Sequence, residues 1–219
     1  MAQYIDSVPL SGIIRIRDMM YSVKDPFRLD QGDVSFDAPD TVKDAMRRAI
    51  DENRSHYVQT TGVPRLLDLI AEKLRQTNRI PIGSSDEVLV TIGGIHALYI
   101  LCHGLLEPGD EVIQHTPCFG IYGLRGKLLG AKMVDVPMVY KDHLLHFDPD
   151  AIMKAVTDKT KIIVIPNPNN PSGSFMDPKY FEPFAKLGIP LVVDEAYIEY
   201  AGLGMSQVEL TKKYDNVLI

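Results

Sequence analysis

The sequence predicts an α/β fold, a three-layer αβα arrangement around a mainly parallel sheet. Two observations carry that expectation. From Glu87 onward, short apolar runs alternate with segments of helical periodicity, as in βα units whose sheet is covered by helices on both faces. The runs Lys161-Ile-Ile-Val-Ile165 and Pro190-Leu-Val-Val193 are almost wholly β-branched or aliphatic, which suits strands buried on both sides.

The elements follow in chain order. Residues 1–35 lack periodicity, and turn signals recur at Asp25-Pro26, Gln31-Gly32-Asp33 and, just beyond, Ala38-Pro39. They read as an N-terminal arm or irregular segment. Asp40 or Thr41 is expected to cap a helix whose Val42, Ala45, Met46, Ala49 and Ile50 keep a 3, 4 spacing. A second helix spans about Pro64 to Thr77, with proline in its first turn and Leu66, Leu67, Ile70 and Leu74 on one stripe. Next come a strand over Glu87–Thr91, a helix over Ile95–Leu106 stopped by Pro108-Gly109, and a strand over Glu111–Gln114. A helix over Ile121–Leu129 stopped by Gly130, a strand over Lys132–Val136 and a helix over Pro149–Val156 continue the pattern. The strand to Ile165, a helix from about Pro178 to Leu187 and the strand to Val193 follow, and Asn216-Val-Leu-Ile219 opens a further strand. Without an internal repeat or linker, residues 36–219 read as one domain that is incomplete at its C-terminus.

Composition narrows the function classes. A net charge of −6 with no basic run argues against a nucleic-acid partner. Cys102 and Cys118 are the two cysteines, and Met1–Leu10 has no basic segment followed by an apolar run. They read as reduced thiols of a cytoplasmic protein, and no apolar stretch is long enough to suggest a membrane span. His143 and His146 form His-x-x-His with no accompanying third ligand, so no metal is expected. Gly126-Lys127 and Gly202-Leu-Gly204 match neither a P-loop nor a dinucleotide turn.

Candidate chemistry gathers at strand ends, where open α/β sheets bind ligands. Thr91-Ile-Gly-Gly-Ile-His-Ala-Leu98 joins a predicted strand to a helix; its glycines either cradle an anion on backbone amides or serve an ordinary tight turn. Phe119, in Thr116-Pro-Cys-Phe-Gly-Ile-Tyr122, is either a stacking aromatic or core. Asn167-Pro-Asn-Asn-Pro-Ser-Gly173 is more patterned than a plain turn. Asp194, in Asp194-Glu-Ala-Tyr197, directly follows an apolar strand, where a carboxylate needs a partner; a helix cap or an ion pair is the structural alternative. Amide, carboxylate and phenol together suit a pyridine ring with a phenolate oxygen and a basic nitrogen.

In these motifs the chain resembles the class I/II aminotransferases, the fold type I pyridoxal phosphate enzymes that include aspartate, aromatic and histidinol-phosphate aminotransferases. The resemblance runs from about Gly32 to Ile219 and implies pyridoxal 5′-phosphate as cofactor. It places the phosphate at Gly93, Gly94 and Ile95, the stacking ring at Phe119 and the pyridinium partner at Asp194. Asn170 and Tyr197 serve the phenolate oxygen, and Asn170 also reaches the substrate, near Gly32. Tyr57, five residues before Gly62, matches a tyrosine that reaches the phosphate of the neighbouring subunit in a homodimer. Ile95, Leu67 and Ser172 depart from the residues usual at their positions, which are polar, Arg and Thr. The lysine that carries the cofactor is expected after the strand that Ile219 interrupts, so no lysine of this chain is nominated and the chain alone is expected to be inactive. A C-terminal small domain is likewise expected beyond it. The implied reaction is transfer of an amino group between an amino acid and a 2-oxo acid. A lyase or synthase of the same fold, or a truncated non-catalytic cofactor-binding protein, are the alternatives; an end on exposed Val-Leu-Ile weighs against the latter.

Overall fold

The computed structural model describes residues 12–27, 32 and 36–219, which fall within two compact units, Pro9–Pro64 and Arg65–Ile219. In the first, α1 (Gly12–Met20) lies in the segment expected to be irregular. Ile13, Ile16 and Met20 repeat there at i, i+3, i+7, a helical stripe that the surrounding turn signals obscure. The turn signal at Gln31-Gly32-Asp33 falls, apart from Gly32, outside the described residues. Helix α2 (Asp40–Asp51) begins one or two residues earlier than expected. Pro39 occupies the N-cap position without a side-chain hydrogen bond, and Asp40 sits in the first turn, where its charge favours the helix dipole.

The second unit contains α3 (Pro64–Gln76), α4 (Gly93–Leu105), β1 (Glu111–Thr116), α5 (Ile121–Leu128) and β2 (Lys132–Pro137). After a hairpin of β3 (Val139–Lys141) and β4 (Leu144–His146) come α6 (Pro149–Ala155), β5 (Thr160–Pro166), α7 (Phe181–Ala185) and β6 (Leu191–Asp194). Three short elements, α8 (Ile198–Ala201), α9 (Val208–Thr211) and β7 (Val217–Leu218), end the described chain. The main sheet has the order β2-β1-β5-β6-β7, and every pairing in it is parallel.

Strand alternation divides the apolar residues between two layers. Ile113, Ile163, Ile165, Leu191 and Val193 pack with Ile152, Phe181, Phe184 and Leu210 from α6, α7 and α9. Val112, Ile162, Val164 and Val192 pack on the opposite face with Cys102 of α4 and Tyr122 of α5. The predicted αβα sandwich is therefore observed, and both faces of its central strands are dry. Phe184 is 0% exposed at the centre of the first layer. Phe184→Ala is expected to cost about 3–5 kcal/mol of stability, read as a lowered midpoint in urea denaturation.

Three segments differ from expectation. Glu87–Thr91 is not a strand: Ser85–Glu87 is a 3-10 turn, because Ser84 accepts from the Asp86 amide while the Glu87 carboxylate caps Gly83 and Ser84. Residues 88–91 then run without a sheet partner among the described residues. The helix expected over 178–187 is split into a 3-10 turn at Pro178–Tyr180, capped by Asp177, and the short α7. The β3–β4 hairpin went unpredicted. Its two-residue loop places Asp142 and His143 at φ 52° and 62°, the twist-matched turn usually signalled by an Asn-Gly or Asp-Gly pair. No helix among the described residues is long and apolar enough to cross a membrane.

Candidate active site

Parallel pairing sets Pro166 at the end of β5 beside Asp194 at the end of β6. The loops that leave those two strands therefore start as neighbours, and the Asn167 amide donates to the Asp194 carbonyl at 2.9 Å. Along β6, Val193 enters the layer of α6 and α7, whereas Val192 enters that of α4 and α5. Asp194 follows Val192 to the α4–α5 side, where it meets Tyr122.

The Tyr122 hydroxyl donates to Asp194 Oδ2 at 2.5 Å and the Ala196 amide to Oδ1 at 2.9 Å. Burial and the Asp194 charge both push the Tyr122 phenol up, so it stays protonated and continues to donate. The carboxylate is thus held by two donors in a fixed orientation. Glu195 points elsewhere, accepting from Ser206 and the Gln207 amide at 2.7 and 2.6 Å; burial raises its pKa. Tyr122→Phe removes a charge-assisted bond while preserving the ring. It is expected to weaken cofactor binding about tenfold, read by titration against cofactor absorbance.

The asparagine loop is built on a strand mimic. Asn167 Oδ1 accepts from the Met176 amide at 2.7 Å, and its Nδ2 donates to the Met176 carbonyl at 3.2 Å. One side chain thereby closes the base of the loop as a neighbouring strand would. Gly173, at φ +69° with open space around it, makes the return turn by donating to the Asn169 carbonyl at 2.8 Å. Asn170 Nδ2 comes within 3.5 Å of the Tyr197 hydroxyl, so the amide and phenol singled out from sequence converge. Both line an open pocket of about 520 Å³ with Pro168, Phe175 and Tyr200. Tyr200 and Phe175 carried no signal that distinguished them in the sequence from ordinary aromatics.

Gly93 starts α4 at φ +70°, and apart from the helix itself no described residue lies within 4 Å of where a Cβ would sit on Gly93 or Gly94. Such a turn admits a group close to the backbone, beside first-turn amides that a helix leaves without internal partners. Thr91 Oγ1 donates to the Gly93 carbonyl at 3.1 Å, and His96 Nδ1 accepts from the Ile92 amide at 3.1 Å. His96 therefore shapes this turn, a role its position alone did not reveal. Ile95 is exposed and offers an anion only its backbone amide. Leu98 and Cys102, farther along α4, pack in the same layer as Phe119 and Tyr122, so the glycine turn opens the helix that covers the Asp194 side of the sheet.

Phe119 is half-buried, edge-on to Tyr122 at 6.1 Å and 85°. Beside it, burial and the Asp135 charge push the Cys118 thiol up to about 12, which removes it as a nucleophile. Gly32 and Tyr57 lie in the other unit, and both are exposed. The residues brought together by direct contact are thus Asp194 with Tyr122, Phe119 with Tyr122, and Asn170 with Tyr197.

Residues 24–219 match the model of the family described as aminotransferase class I and II. Over 201 residues the chain is 33% identical to an aspartate aminotransferase of Pyrococcus abyssi, covering 90% of this chain and 51% of the relative. It is 35% identical over 173 residues to the aspartate/prephenate aminotransferase of Thermus thermophilus, covering 77% of this chain and 44% of that protein. Among solved structures, an alanine aminotransferase from Pyrococcus furiosus superposes with a TM-score of 0.78 at 31% identity, over 90% of this chain and 52% of the other. The chain spans about half the length of the curated relatives it matches. On its sequence match and its fold together, the chain belongs to the class I and II aminotransferases.

Proposed function

We propose that this chain forms the cofactor-binding portion of a pyridoxal phosphate-dependent aminotransferase, which moves an amino group between an amino acid and a 2-oxo acid. The observation that carries the reading is the Asp194 carboxylate, oriented by Tyr122 and Ala196 at the end of β6 and adjoining the Asn167–Gly173 loop. The residues present fit the cofactor. An oriented carboxylate suits a pyridinium nitrogen, the Asn170–Tyr197 pair suits a phenolate oxygen, and the open glycine turn of α4 suits a phosphate. When bound, pyridoxal phosphate supplies an electron sink that stabilises negative charge at the substrate's α-carbon.

Each residue then has a definite task. Asp194 keeps the ring nitrogen protonated. Tyr122 keeps Asp194 aimed and, being held protonated, never competes with it as an anion. Phe119 covers one ring face. Tyr197 and the Asn170 amide donate to the phenolate oxygen, and the same amide reaches the substrate carboxylate. Gly93, Gly94 and Ile95 bind phosphate through backbone N–H groups. Tyr57 of the neighbouring subunit completes the phosphate site in a cytoplasmic homodimer. Residues 36–219 belong to the front of the large domain, and the cofactor lysine and small domain lie in the remainder of the longer polypeptide.

The test is amino transfer by the full-length polypeptide, saturated with pyridoxal phosphate, from a panel of amino acids to 2-oxoglutarate. Formation of glutamate in step with the 2-oxo acid of at least one donor supports the reading. A polypeptide that binds the cofactor yet produces only ammonia, or an eliminated fragment, instead performs a different reaction.

A further inference from the structure

β1 delivers to the site a histidine that the proposed chemistry does not use. His115 is 1% exposed, and its ring meets Phe147 edge-on at 4.4 Å. Its Nε2 lies 3.2 Å from Asn169 Oδ1, whereas Nδ1 is buried without a hydrogen-bond partner among the described residues. Asn169, 3% exposed, directs its Nδ2 to the Pro117 carbonyl at 3.0 Å and to Ser172 Oγ at 2.6 Å.

These contacts settle where the protons are. A carbonyl only accepts, so the amide nitrogen of Asn169 must face Pro117 and the amide oxygen must face His115. An oxygen at that position requires a hydrogen on Nε2. His115 is therefore the Nε2–H tautomer with a bare Nδ1. Burial lowers its pKa to about 4, against a partial offset from the bond to Asn169, so the ring remains neutral in this role.

We propose that His115 is a positioning residue, the donor that locks Asn169 between the loop carrying Phe119 and the loop carrying Asn170. Pro117 lies two residues before Phe119, and Asn169 adjoins Asn170. Ser172 extends the chain of bonds to Ser174 at 2.8 Å, and Ser174 donates to the Leu145 carbonyl in β4. One imidazole thus fixes an amide that ties both cofactor-facing loops to the hairpin. The proposal rests on the reading that Phe119 and Asn170 face the cofactor.

Two variants of the full-length polypeptide separate positioning from space filling. His115→Phe keeps an aromatic ring but cannot donate, while His115→Gln keeps an N–H donor. Loss of one buried hydrogen bond predicts cofactor binding about tenfold weaker for His115→Phe, with His115→Gln within about threefold of the parent. Nitrogen-15 spectra of the histidine-labelled parent without cofactor are expected to show His115 neutral and protonated on Nε2 from pH 8 to 5. Equal cofactor affinity in the two variants, or a proton on Nδ1, overturns the proposal. Should His115→Phe fail to fold, His115→Gln and the nitrogen spectrum still decide it. A parent that takes up no pyridoxal phosphate would instead defeat the functional reading, with the tautomer still testing the geometry around Asn169.

Discussion

Asp194→Asn in the full-length polypeptide is expected to slow amino transfer by roughly 10²–10³-fold, the scale on which one preorganised electrostatic contact acts. The substitution is nearly isosteric. Its amide oxygen can still accept from the Ala196 amide, which donates to Asp194 at 2.9 Å, and its amide nitrogen can donate to the Tyr122 oxygen that now sits 2.5 Å away. The fold should therefore survive, visible as an unchanged thermal midpoint. What disappears is the negative charge that holds a ring nitrogen protonated, so the turnover rate should fall further than cofactor affinity. Rates measured at saturating cofactor separate the two. An equal loss in affinity and turnover would mean that Asp194 only binds.

Asn167→Ala is expected to destabilise the protein by about 2–5 kcal/mol, because two buried backbone groups of Met176 lose their partner at once. Asn167 and Met176 are 1% and 2% exposed, so water does not replace the lost bonds without opening the loop. Asn167→Asp retains an acceptor for the Met176 amide but puts an unpaired charge beside its carbonyl, and should be no better than alanine. Urea denaturation monitored by circular dichroism gives the difference. Cofactor affinity should fall with stability in both variants, since the same side chain anchors the loop that ends in Asn170 and Gly173.

The fold was legible wherever burial wrote itself into composition. β5 and β6 are buried on both faces and consequently appear as unbroken aliphatic runs. Residues 88–91 carry the same aliphatic character, yet pair with no strand among the described residues, because β-propensity reports a pleated and half-buried surface rather than a guaranteed neighbour. The hairpin escaped notice because Asp142 and His143 adopt positive φ without a glycine. In the site, Asp194, Tyr197 and Asn170 stood out because polar groups directly after dry strands demand an explanation. Asn167, read as part of a ligand-facing motif, turned out to satisfy Met176 instead. Tyr122 and His115 were silent because their partners, Asp194 and Asn169, lie 72 and 54 residues away in sequence. Only the parallel sheet brings them together.

The proposed function stands or falls on whether pyridoxal phosphate is bound at these strand ends, with Asp194 at its ring nitrogen. The most direct measurement is the intact mass and peptide map of the full-length protein after incubation with pyridoxal phosphate and reduction by borohydride. One pyridoxyl-phosphate adduct per chain is expected, on a lysine outside residues 1–219, and it should be strongly reduced in Asp194→Asn under limiting cofactor. An unmodified protein, or a stoichiometric adduct on a lysine within residues 1–219, would contradict it.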